Sequence, residues 1–263
     1  MPFMNPSPHV RPVAVMSALA QEITELRAAL ASSSTIDVAG TQVHRGQIDG
    51  HAVVIANTGI GKVNAALTAA LLVERFNPEM AVFTGVAGGL DPDLDVGDIV
   101  IARTTANHDT GVLESGGLRH YQAGHVPFFN PTEQFGYTAG ADLLERVATR
   151  ITPGELDPVG GRHDPPRVVL GTILTGDQFV NDPQVRDRLH SELGGLAVEM
   201  EGAALAQAAE RLGVPHLVIR AVSDLAGAES HLDFTRFVSE VARNSARLVR
   251  QILPVLSPPS VRH

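Results

Sequence analysis

Three groups of carboxylates in this chain have the company and spacing to do chemistry. They are Glu22 in Ser17-Ala-Leu-Ala-Gln-Glu22, Glu199 and Glu201 in Val198-Glu-Met-Glu-Gly202, and Asp224 in Arg220-Ala-Val-Ser-Asp224. Glu199 and Glu201 stand two apart at the end of an apolar run, so in an extended chain they share a face while Met200 points elsewhere. Acids in unequal environments suit general acid–base work, one kept protonated to donate and another kept ionised to accept. A structural reading stands beside each. Glu199, Glu201 and Asp224 equally suit caps for a following helix or turn, and Glu22, off the apolar stripe of its own helix, suits a solvated position. Arg220 lies within an apolar strand, where an unpaired guanidinium is costly, so a buried partner is expected in Glu199 or Glu201.

Other chemistries are weaker here. There is no cysteine, which removes disulfides, thiolate metal sites, iron–sulfur clusters and cysteine nucleophiles together. The 11 histidines show neither H-x-x-x-H nor H-E-x-x-H spacing, so no metal is expected. His108-Asp109 and His231 read as satisfied or exposed. Ser223 precedes Asp224, but no histidine sits in a nucleophile-elbow context, which disfavours a serine hydrolase. Thr58-Gly-Ile-Gly-Lys62 lacks the first glycine and the final hydroxyl of a phosphate loop, and Gly85-Val-Ala-Gly-Gly89 lacks the dinucleotide spacing. These glycines serve either sharp turns or close backbone approach to a ligand. No cofactor is expected.

The elements that would position these groups follow an α/β order. Pro12 to Met16 reads as a strand, and Leu19, Ile23, Leu26 and Leu30 form a helical stripe. Asp49-Gly50 between two apolar runs predicts a hairpin. A helix is predicted over 63–76, with Val63, Ala66, Leu67, Ala70 and Leu71 as its stripe. Met80–Thr84, Ile99–Ala102, Val168–Leu174, Leu196–Met200 and Leu217–Val222 are apolar on both faces, as strands covered by helices on both sides must be. Helices are expected near 183–192, 202–212 and 233–254. The pattern implies a mostly parallel central sheet, and ligands then bind beyond the strands' carboxyl ends. Every one of the motifs above follows such a strand. Residues 152–167, dense in Pro and Gly, read as a surface loop within one domain.

The chain has 263 residues and a formal net charge of −9. An acidic chain without a basic run makes nucleic-acid polymers poor partners. No run is long and apolar enough to span a membrane, and the first residues lack a signal peptide's apolar stretch. A cytoplasmic protein is expected, with flexible tails at 1–11 and 257–263 around a domain at 12–256.

Taken in order, these motifs, with Gly176-Asp-Gln-Phe-Val-Asn181 and Val96-Gly-Asp-Ile-Val100, resemble the nucleoside phosphorylase/nucleosidase superfamily. Within it the chain is most similar to the 5′-methylthioadenosine/S-adenosylhomocysteine nucleosidases, over about 13–256. The resemblance implies a mixed, twisted, partly barrel-like sheet flanked by helices, and a homodimer with sites near the subunit interface. It implies release of adenine from 5′-thio-substituted adenosines by water. Glu22 matches the general base and Asp224 the acid that protonates the purine. Glu201 and the Met200 backbone match the ribose contacts. Phe179 matches the ring that packs on the base, and the Val180 backbone its polar edge. Ser223 and Arg220 look like supports for the carboxylates, and Phe234 like the aromatic lid. Val86 stands where several relatives carry a hydroxyl near the sugar, and Ala123 where an aromatic is expected in the loop a neighbouring subunit lends to the 5′ pocket. Phosphorylase arginines are missing from Ser17–Glu22 and from Phe83-Thr84-Gly85. The alternatives are an aminodeoxyfutalosine nucleosidase, a purine nucleoside phosphorylase, or a nucleoside-binding protein without turnover.

Overall fold

The computed structural model describes residues 11–257. Most of the expected tails therefore lie outside the described residues; Arg11 itself donates to the backbone carbonyls of Asn77 and Pro78 at 2.8 and 2.7 Å. The chain opens with β1 (Val13–Ser17), α1 (Ala20–Ala28), β2 (Ala31–Val38), β3 (Thr41–Ile48) and β4 (His51–Asn57). Asp49 and Gly50 take φ of 51° and 83°, a pair of left-handed residues that a tight hairpin between twisted strands requires. Then come α2 (Lys62–Phe76), β5 (Met80–Gly89), β6 (Ile99–Asn107), the hairpin β7 (Gly111–Glu114) and β8 (Gly117–His120), β9 (Tyr137–Thr138) and α3 (Ala141–Ala148). The rest is β10 (Val168–Thr175), α4 (Pro183–Leu193), β11 (Gly195–Glu199), α5 (Gly202–Arg211), β12 (His216–Asp224) and α6 (Ser230–Leu256).

One α/β domain results. Its main sheet runs β11-β10-β6-β12-β5-β1-β4-β3-β2, and β11 pairs with β5 as well. That pairing closes β5, β12, β6, β10 and β11 into a ring. The sheet is mixed rather than mostly parallel: β12 runs parallel to β5 and antiparallel to β6, and β11 meets β5 antiparallel through Gly88 and Gly89. The fully buried strands did show in their unbroken apolar runs, with every residue of β12 buried; β10, expected among them, is only half covered, with Leu170 exposed, and is fully buried only over its last three residues. Closure of the ring had no local signature.

Two further differences have clear causes. The predicted stripe of α2 faces outward, with Val63 and Leu67 78% and 59% exposed. The buried face is Ala65, Thr68, Ala69 and Leu72, because small side chains let α2 lie close against the alanine-rich α5. Residues 152–167 are irregular apart from a 3₁₀ turn at Pro153–Glu155, yet they are fastened to the domain. Leu156 and Val159 are buried, Asn244 exchanges hydrogen bonds with the Asp157 backbone, and Arg162 and Arg167 reach the buried Asp98.

Candidate active site

Each carboxylate is delivered by a strand end. Glu22 occupies the first turn of α1, directly after β1, and folds back so that the Leu19 amide donates to Oε2 at 2.7 Å. The Val86 amide of β5 donates to Oε1 at 3.0 Å. The residue is therefore buried beneath the strand ends rather than solvated, and its position off the apolar stripe is what turns it inward to the sheet's carboxyl edge.

Arg220 lies within β12, directly across from Gly85 of β5. A side chain at 85 would overlap both Arg220 Nη1 and Glu22 Oε1, so glycine is what lets acid and guanidinium approach each other. Arg220 is fully buried, rests over the Phe83 ring at 4.6 Å, and pairs through Nη2 with both Glu199 and Glu201. Both partners named from the sequence are thus used.

Those two glutamates then part company. Glu199 accepts from Arg220, the Thr175 hydroxyl, and the amides of Glu201 and Gly202. That is a helix-start cap joined to a buried ion pair, and its acceptor sites are filled. Glu201 accepts only the Gly61 amide at 2.8 Å and Arg220 at 3.2 Å, leaving lone pairs toward open space. Asp224 closes β12, with Ser223 Oγ donating to Oδ2 at 2.9 Å and the Ala226 amide to Oδ1 at 3.0 Å. Ala226 has φ of 48°, a conformation unusual for alanine and one that aims its amide at the acid. Gly88 leaves room on the other side, where a Cβ would stand 3.1 Å from Asp224 Oδ1.

These groups meet in one cleft with about 760 Å³ of empty space, part of it open to solvent. Glu22, Val86, Phe179, Val180, Met200, Glu201, Ser223, Asp224 and Phe234 all line it. Arg220 stands behind the lining, touching the carboxylates. Phe179 and Phe234 meet edge to face with centroids 6.2 Å apart, so the mouth is aromatic and the floor acidic. No residue of the loop around Ala123, residues 120–131, expected from the resemblance to reach a neighbouring subunit's 5′ pocket, lines this cleft, and Phe128 is 83% exposed.

The matching family model is the phosphorylase superfamily, over residues 12–254. A 5′-methylthioadenosine/S-adenosylhomocysteine nucleosidase of Mycobacterium tuberculosis is 51% identical over 249 residues, 93% of this chain and 98% of that protein. A nucleosidase of the same name from Colwellia psychrerythraea, solved with adenine, has a TM-score of 0.82 at 35% identity, covering 94% and 96% of the two chains. The chain belongs to the 5′-methylthioadenosine/S-adenosylhomocysteine nucleosidase family. A futalosine hydrolase of Helicobacter pylori shares the fold at a TM-score of 0.80 and 27% identity, covering 94% of this chain and 99% of that one.

In this member of the nucleosidase family, burial dominates the electrostatics of the cleft. It pushes the Glu22 carboxyl above its ordinary range, opposed by Arg220 and the Leu19, Val86 and Ala18 amides. It raises Asp224 likewise, against the Ala226 amide and the Ser223 and Ser230 hydroxyls. Glu201 is pushed up to about 7 by burial, with Arg220 opposing and Glu199 adding to the rise. Glu199 lies closer to Arg220 than Glu201 does, which leaves Glu201 beside a second carboxylate. Sequence reasoning did not single out Gly61, whose amide holds Glu201, nor Ile60, Gln178 and Val198, which line the walls. All four lie inside the motifs quoted from the sequence, where nothing in residue type set them apart from their neighbours.

Proposed function

We propose that the chain hydrolyses the N-glycosidic bond of 5′-methylthioadenosine and S-adenosylhomocysteine, releasing adenine and a 5-thioribose. The observation that carries the reading is that Glu22, Glu201 and Asp224 line one cleft while Glu199 is saturated by its own neighbourhood. As the bond breaks, positive charge builds on the sugar and negative charge on the purine. Asp224, whose carboxyl burial pushes toward the protonated form, gives its proton to the departing base, and Ser223 orients it. Glu201 and the Met200 backbone hold the ribose hydroxyls, and the Glu201 carboxylate favours the cationic sugar. Phe179 packs on the purine, the Val180 backbone meets its polar edge, and Phe234 closes over the sugar.

Water attacks C1′ from the face where Glu22 lines the cleft. Glu22 takes the proton and hydroxide forms the new bond. Proton exchange with solvent resets both acids. Val86 serves through its amide on Glu22 and turns an apolar side chain to the cleft. Each acid–base role supplies about 10²–10⁴-fold in rate. Phosphate is disfavoured as the nucleophile because no described residue lining the cleft is basic, and a buried glutamate repels a dianion.

Two finer expectations belong to the same reading, a cytoplasmic location and a homodimer. Support for the dimer comes from Ile60, Val63 and Leu67, 53%, 78% and 59% exposed at the start of α2, a patch of the kind partners cover. The exposed Phe128 and Phe129 are what a second copy would lend to the 5′ pocket. The test of substrate is incubation with 5′-methylthioadenosine, S-adenosylhomocysteine, aminodeoxyfutalosine, futalosine and inosine, with and without phosphate. Adenine with free sugar from the first two, in either buffer, is expected. Sugar 1-phosphate would mean a phosphorylase, preference for a futalosine would mean the neighbouring activity, and binding without release a non-catalytic module.

A further inference from the structure

Outside the cleft, three strand-end segments are joined by an ion-pair triangle that the mechanism above leaves unused. Lys62 Nζ donates to both oxygens of Asp109 at 2.7 Å and stands 3.7 Å from Asp177 Oδ2. The Lys62 amide donates to Asp177 Oδ1 at 3.0 Å, and the Asp177 amide to Asp109 Oδ2 at 2.9 Å. Every side of the triangle is therefore made. None of its three residues lines the cleft.

What the triangle holds gives it a meaning. One residue before Lys62, the Gly61 amide grips Glu201 at 2.8 Å. Two residues after Asp177, Phe179 forms the wall of the cleft assigned to the purine. Asp182 then caps α4 through the Gln184 and Val185 amides, so only residues 178–181 span the gap between two fixed points. We propose that Lys62 and Asp109 are positioning residues that lock the base-packing loop to the sugar-binding loop, setting affinity for the nucleoside without touching it. This deepens the nucleosidase reading and rests on it.

Charge explains why lysine is needed. Two carboxylates share one ammonium, and the Lys62 and Asp109 side chains are only 23% and 15% exposed, so the pair is shielded more than an ordinary surface bridge. Without the ammonium, Asp109 and Asp177 face each other uncompensated. Asp177, at 51% side-chain exposure, then keeps only the Lys62 amide and its own amide's bond to Asp109, and any shift it makes toward solvent carries Phe179 with it. Gly61 lies close against Asp177, where a Cβ would stand 3.1 Å from Oδ1.

The test compares Lys62→Met, Lys62→Arg, Asp109→Asn and the Lys62→Met/Asp109→Asn double variant with wild type. The readouts are kcat and KM for 5′-methylthioadenosine, Kd for free adenine by calorimetry, and Tm. Lys62→Met is expected to raise KM and the adenine Kd together by about 10-fold, equivalent to about 1.4 kcal/mol, with kcat within about threefold of wild type. The double variant recovers part of that loss because one of the opposed carboxylates is gone, and Lys62→Arg stays within about threefold throughout. A lower Tm with KM and adenine affinity unchanged overturns the proposal, as does a fall in kcat at constant KM. Should Lys62→Met not fold, the isosteric Asp109→Asn carries the same expectation of raised KM and adenine Kd. A wild type that turns over normally beside variants with wild-type KM defeats this proposal alone. A wild type that neither releases nor binds adenine defeats the functional reading and this proposal with it.

Discussion

Replacing Glu201 by glutamine is expected to stabilise the protein at alkaline pH while harming its chemistry. Burial lifts this carboxyl from an ordinary 4.5 to about 7, so the native state holds the proton far more tightly than the unfolded chain does. Below about pH 4.5 both states carry the proton and no stability is lost. As pH climbs toward 7 the unfolded chain sheds it first, and stability falls until the native group has ionised as well. Each decade in proton affinity counts for about 1.36 kcal/mol, giving about 3 kcal/mol over the whole window, most of it between pH 5 and pH 8. Glutamine stays neutral at every pH and escapes that loss. For a chain of this length 1 kcal/mol moves Tm by about 2 °C. Scanning fluorimetry of both proteins is therefore expected to show Glu201→Gln gaining about 5 °C on wild type as the buffer moves from pH 5 to pH 8. A Tm difference that stays constant across that range, or that favours wild type at pH 8, would refute the argument that Glu201 is ionised against its surroundings.

Other consequences are equally open to measurement. The profile of kcat/KM is expected to fall as pH drops below about 7, where Glu201 takes up its proton; a profile flat through that pH would contradict the role given to the Glu201 carboxylate. Glu199→Gln weakens the buried pair to Arg220, whose Nε and Nη1 already lack partners, and should cost about 3–5 kcal/mol of stability, read by urea unfolding; an unchanged midpoint would mean the pair contributes nothing. The proposed homodimer predicts a two-chain mass for wild type in light scattering and a one-chain mass once Val63 and Leu67 are both changed to glutamate; an unaltered two-chain mass would place the interface elsewhere, and a one-chain wild type would overturn the dimer.

Much of this arrangement was legible because its signals are local. The strands buried on both faces announced themselves as unbroken apolar runs, Asp49-Gly50 carried its own turn chemistry, and each acid of the cleft followed a strand. What escaped was decided by packing. Strand β2, Ala31–Val38, is mostly exposed and serine-rich, so it showed no alternation and owes its form to pairing with β3. Helix α2 is apolar on two faces, and composition alone favoured the larger side chains over the small ones that reach the core. Helix α3 spans only Ala141–Ala148, too short for its Leu143, Leu144 and Val147 stripe to stand out. Spacing put Glu199 and Glu201 on one face, but only the distribution of donors separates the saturated acid from the free one. The union of Lys62, Asp109 and Asp177 links positions 47 and 115 residues apart, which no local pattern records.

The central claim is that Glu22 and Asp224 split a sugar–purine bond with water. Adenine release from 5′-methylthioadenosine in phosphate-free buffer, followed side by side for wild type, Glu22→Gln and Asp224→Asn, tests it most directly. The account predicts one adenine per nucleoside from wild type and a loss of about 10²–10⁴-fold in each variant, with Glu22→Gln still binding adenine. No release by wild type without phosphate, or near-full turnover by either variant, would contradict it.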